Sequence, residues 1–214
     1  MSLLSDAMTY YPYVFHPITL VGAGSLLLLH YEWALQHADR AALKRRVAAF
    51  VGAGALALLP TVAFFVVTGA NPVESTQGNS WVMDSLVASG LLIVASTTWL
   101  LWRRFEWGDL LPGMMVALAA VTVPYVGLSP VWNVSGHVTL SLLPALYLTL
   151  VDRKFWPLLV VPVVMVPNRL YLDAHTPAQA VGAFLLTGAV TVAVYWWQVG
   201  GTLRPVTDAR ADES

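Results

Sequence analysis

Apolar runs about as long as a bilayer is thick recur along this chain, with only short polar connections between them. A helix crosses the hydrocarbon core with roughly 20 mainly apolar residues. Runs near that length cover residues 11–35, 47–70, 82–102, 110–128, 131–150, 155–172 and 177–199. Inside a bilayer the backbone must satisfy its own hydrogen bonds, so continuous runs of this kind read as helices. Only 11% of the residues are charged, against roughly 25% in soluble domains. The fold expected is all-α, a polytopic membrane helix bundle of about seven transmembrane helices. It would form a single transmembrane domain over residues 1–199, followed by a mobile cytoplasmic tail over 200–214. Breaker signals at Gly69-Ala70-Asn71-Pro72, Gly127-Leu128-Ser129-Pro130 and Gly200-Gly201 mark expected connections. Residues 1–10 carry no basic residue, so the first apolar segment is expected to be retained rather than cleaved as a leader.

Orientation follows from the cations in short loops, which concentrate on the cytoplasmic side. One set of loops holds Arg40, Lys44, Arg45 and Arg46, then Arg103 and Arg104, then Arg153 and Lys154; the tail adds Arg204 and Arg210. The opposite set holds Arg169 alone. Seven spans give this separation with the N-terminus outside and the C-terminus cytoplasmic, and an even number would spoil it. The cell membrane is the expected location. Trp81 and Trp132 then fall in the outer aromatic belt, and Trp33, Trp102, Trp107, Trp156, Trp196 and Trp197 in the inner one.

The charges are segregated by side, so there is no basic arm or patch suited to nucleic acid. The chain has no cysteine, which excludes disulfides, thiolate catalysis and thiolate-bound metals. The expected partners are membrane lipids and a lipid phosphate, with protein partners left open.

Arg169 is the residue that most needs a reason. Ionisable groups inside membrane spans are functional by default, and a guanidinium binds a phosphate in a bidentate way. The alternative is an Arg snorkelling to the headgroups. His175 follows in Asn168-Arg169-Leu170-Tyr171-Leu172-Asp173-Ala174-His175, and a second imidazole lies in Ser135-Gly136-His137. One imidazole can attack phosphorus while another protonates the leaving oxygen. Ser135 stands just before an apolar run and is expected to open a helix, whose free N–H groups suit an anion. Gly136 would let a ligand approach the backbone. The plainer reading of Ser135 is an N-cap alone. His16 and His30 read as packing residues, and no third ligand to make a metal site is apparent. Both motifs fall at the same end of the hairpin formed by the fifth and sixth runs, on the extracytoplasmic side.

Ser135-Gly136-His137, then Arg169-x5-His175 and Thr176-Pro177, resemble the second and third signature motifs of the type 2 phosphatidic acid phosphatase (PAP2) superfamily. The resemblance covers roughly residues 130–195. It implies a lipid phosphatase in which His175 is the nucleophile, forming a phosphohistidine, and His137 protonates the leaving group. It implies that Arg169, Ser135 and the amides of Gly136 and His137 hold the phosphoryl oxygens, with no metal or other cofactor. The chain departs from the family pattern in three ways. The first motif, Lys-x6-Arg-Pro, is absent. Val134 and Asn168 replace a Pro and a Ser. Gln179 stands where an Asp normally orients the nucleophile. Thr176-Pro177-Ala178-Gln179 also has the form of a helix capping box. Asp173, Asp84 or Glu74 could supply the missing carboxylate. Lack of the first motif is similar to the sphingomyelin-synthase-like branch, whose members transfer a phospho-headgroup between lipids.

Two other readings stand beside this one. The chain can be an inactive descendant that binds lipid or serves as a subunit of a membrane complex. It can also be an intramembrane serine protease using Ser135 and His175, a reading that leaves Arg169 and His137 idle.

Overall fold

The computed structural model describes residues 3–71 and 80–200. Glu74, Arg204, Arg210 and the expected tail beyond Gly200 lie outside them. Among the described residues the regular structure is all helical, without a strand. The helices are α1 (Leu3–Val14), α2 (Pro17–Leu35), α3 (Arg40–Ala57), α4 (Leu59–Thr68), α5 (Trp81–Phe105) and α6 (Leu110–Trp132). There follow α7 (Gly136–Val151), a 3-10 helix (Arg153–Leu159), α8 (Val160–Tyr171) and α9 (Pro177–Gln198). Among the described residues, five stretches are long and apolar enough to cross a membrane: Pro17–Leu35, Arg40–Thr68, Trp81–Phe105, Leu110–Trp132 and Pro177–Gln198. α7 is apolar but shorter.

Local chemistry sets the boundaries. Asp39 caps α3, its carboxylate accepting the Ala42 N–H at 2.6 Å. Pro60 cannot donate to Leu56, and the α3–α4 stretch is interrupted at Leu58. Gly69, at φ 65°, ends α4 in the left-handed region where glycine carries no penalty. The first expected span is two helices, because Pro17 follows His16 and breaks the run there. The breaker expected at 127–130 does not act. α6 continues through Pro130 to Trp132 and ends on Asn133 in the left-handed conformation. Trp102 is not an interfacial anchor: it is buried, with its ring edge-on to Trp107 at 5.0 Å.

The chain forms two compact units. In residues 29–133, α5 packs along α6 and α3. Gly90 makes the second contact possible, since a Cβ there would lie 2.5 Å from the Ala57 carbonyl oxygen. Small residues allow this close approach of apolar helices. The N-terminus of α6 is capped by a remote carboxylate. Buried Glu32 accepts the Leu110 N–H at 2.7 Å from 78 residues away. Asp109, the local capping position, instead pairs with Arg103 at 2.8 Å. Asp84 accepts from the hydroxyls of Tyr125, at 2.9 Å, and Ser129. That carboxylate is therefore spent within this unit.

The other unit joins residues 3–28 to 134–200. α7 is its centre, packed by α9, α8 and the 3-10 helix. Val138, Leu142, Leu143, Leu148, Met165 and Ala183 fill the core. Gly24 of α2 faces Pro144, whose Cβ would lie only 2.6 Å from any side chain placed there. α1 packs on α8. Two bonds fasten it: the Tyr11 hydroxyl donates to the Val161 carbonyl at 3.0 Å, and the Asn168 amide donates to the Met8 carbonyl at 2.6 Å.

Candidate functional site

Every residue of the two sequence motifs lies in this second unit. Ser135 is buried and is the N-cap of α7, its hydroxyl turned toward the Val138 N–H at 3.5 Å. Its carbonyl accepts the Thr139 N–H at 3.0 Å. Helix geometry leaves the Gly136 and His137 amides without intrahelical acceptors. His137 is half-buried in the first turn of α7. The N-cap reading of Ser135 and the anion-site reading are compatible, because the cap organises the turn that carries these amides.

The six-residue step from Arg169 to His175 has a concrete cause. α8 ends in a Schellman motif: the Ala174 N–H bonds back to the Arg169 carbonyl and the Asp173 N–H to the Leu170 carbonyl, each at 3.1 Å. Asp173 occupies the left-handed position of that motif, at φ 51°. The turn reverses the chain over a few residues and delivers His175 immediately before Thr176, the N-cap of α9. Asp173 itself is exposed. Its place in the fold is the turn.

Gln179 completes a capping box. Its Oε1 accepts the Thr176 N–H at 2.9 Å, and its own N–H donates to the Thr176 hydroxyl at 3.3 Å. The oxygen that would orient an imidazole is therefore already engaged with backbone.

Arg169 is half-buried in the last turn of α8, and its Nε is buried without a hydrogen-bond partner. Buried donors of this kind are rare and ask for an acceptor. Charge converges on His137, which lies within electrostatic reach of Arg169, His16 and His175. His16, read from sequence as a packing residue, meets His137 edge to face, with ring centroids 6.2 Å apart. Tyr13 acts electrostatically on Arg169. The His16-Pro17 step marks a helix break in the sequence, but nothing local gives the side chains beside it a task. Among the described residues, no group of three or more His, Asp or Glu is arranged to hold a metal ion. His137, Arg169 and His175 thus stand at helix ends of one unit, with His16 beside His137 and the first-turn amides of α7 free of intrahelical acceptors.

Compared with models of known protein families, with curated proteins and with solved structures, the chain matches none.

Proposed function

We propose that this chain is an integral membrane PAP2-type phosphatase or phosphotransferase. It acts on a lipid phosphoester at the extracytoplasmic face through a phosphohistidine. One observation carries the reading: His137 in the first turn of α7, Arg169 in the last turn of α8 and His175 just before α9 stand at three helix ends of one unit, where Arg169 and His175 both act electrostatically on His137. In the first step a His175 ring nitrogen attacks phosphorus, the bond from phosphorus to the leaving oxygen breaks, and His137 donates that oxygen its proton. Water or a lipid alcohol then attacks phosphorus, gives its proton to His137, and the bond from phosphorus to nitrogen breaks. Arg169, the Ser135 hydroxyl and the Gly136 and His137 amides hold the remaining oxygens. Charge-directed donors at developing negative charge supply the largest share of such catalysis.

The topology we favour has seven passes, with the N-terminus outside and the tail cytoplasmic. The short pair α7 and 3-10–α8 would supply the two passes beyond the five long ones. A 16-residue helix is about 24 Å long, less than the roughly 30 Å hydrocarbon core. The motif end of this pair then sits below the outer surface, where a polar site is tolerated in a cavity. Contact of His16 with His137 supports the parity, since both open helices entering from outside.

A second reading, an inactive lipid-binding protein or subunit, is favoured by the engagement of Gln179 in its capping box. Purified protein in detergent, given a panel of lipid phosphates, separates the two. Phosphate release that His175→Ala abolishes supports the enzyme. No release or headgroup transfer by wild type on the whole panel favours the second.

A further inference from the structure

His16 is the group at the candidate site that the proposed reaction leaves without a task. His175 attacks, His137 moves the proton and Arg169 binds. Yet His16 is not placed there casually. Its carbonyl accepts the Leu20 N–H at 3.0 Å, so it stands at the N-cap of α2. Pro17 after it restricts its backbone to extended conformations. On the other side, α1 is tied to α8 by the Tyr11–Val161 and Asn168–Met8 bonds. The Asn168 that makes the second bond is the neighbour of Arg169. One linkage therefore sets the position of His16 relative to the guanidinium.

The charge balance asks for such a group. A phosphomonoester carries close to two negative charges near neutral pH. Arg169 supplies one positive charge. Arg169, His16 and His175 act electrostatically on His137, and Tyr13 acts on Arg169; among the described residues no carboxylate is among the groups acting on either. His16 is exposed, so a ligand can reach its ring.

We propose that His16 is a phosphate-binding residue, a second cation that the break between α1 and α2 brings beside His137 to complete the charge complement of a phosphomonoester dianion. This rests on the phosphoryl reading above and specifies its ligand. A monoester headgroup matches two cations; a diester, with a single charge, matches Arg169 alone.

The test is binding of inorganic phosphate to the purified full chain, followed by calorimetry. His16→Ala is expected to weaken binding roughly tenfold or more, the range of a lost charge-assisted hydrogen bond. His16→Lys is expected to recover most of that loss, whereas His16→Phe is not. His30→Ala, which removes an exposed imidazole beside Trp33, is expected to change nothing. Binding of a short-chain phosphatidic acid tighter than that of phosphate identifies a lipid headgroup as the ligand; equal affinity identifies the free anion. If wild type binds phosphate and loses it in Arg169→Ala but not in His16→Ala, the assignment of His16 fails alone. If His16→Lys binds no better than His16→Ala, the charge argument fails. If wild type binds no phosphate, the phosphoryl reading fails with it.

Discussion

The side-chain amide of Asn168 donates to the carbonyl of Met8 across 160 residues, at 2.6 Å. Asn168 is fully buried, one residue before Arg169. A serine, with its shorter side chain, would reach less far. The bond fastens α1 to the helix that carries the guanidinium. Asn168→Ala is expected to destabilise the protein by about 1–3 kcal/mol, the cost of a buried carbonyl left unpaired. It should also weaken phosphate binding although Asn168 touches no ligand. Unfolding titration in detergent with phosphate calorimetry checks both. Unchanged stability and affinity would remove the link between α1 and the site.

Asp173 holds a left-handed conformation that costs a non-glycine residue roughly 1–2 kcal/mol. If its task is the turn, Asp173→Gly should keep or raise stability and leave turnover within about twofold. Asp173→Val should lower both, since a β-branched residue there is strained. A large loss of activity in Asp173→Gly with stability retained would show that the carboxylate serves the chemistry.

The helical class and the apolar stretches were legible because the bilayer imposes one length and one periodicity on every span. The helix from Pro177 was legible to its last turn, since Thr176, Pro177 and Gln179 are a local capping signal. Interactions with distant partners were not. The start of α6 at Leu110 was read correctly, but not its cap by Glu32, and the break after α1 exposes a histidine that only the folded unit sets against His137. Pro130 read as a breaker because proline costs a helix one donor, yet α6 carries it one turn from its end. At the site, the types and order of Ser135, His137, Arg169 and His175 were visible. His16 was not, because nothing local distinguishes it from a packing histidine.

Glu32 gives a third test. Its Oε1 accepts the first free amide of α6, and Arg46, also buried, is the cation acting on it. Glu32→Gln keeps an acceptor oxygen, whereas Glu32→Ala removes it and strands the guanidinium. Hydrogen bonds to charged groups contribute about 1.5–3 kcal/mol. Glu32→Ala should therefore cost about 2 kcal/mol or more, and Glu32→Gln clearly less. Equal losses in an unfolding titration would show that the charge, not the cap, matters.

The last prediction concerns Arg169. Its Nε is a buried donor without a partner, and a guanidinium offers two parallel donors in a fixed fork. Lysine keeps the positive charge but presents a single ammonium that cannot reproduce the fork. Arg169→Lys should therefore bind phosphate and turn over substrate at least about tenfold less well than wild type, with stability nearly unchanged. If charge alone were needed, the lysine variant would match wild type. Both proteins should keep their rates in a chelator of divalent metals, because the proposed steps run between imidazole, guanidinium and phosphorus. A wild-type rate that collapses in chelator and returns with a divalent ion would contradict the phosphohistidine route. A lysine variant as active as wild type would reduce Arg169 to a headgroup-facing charge.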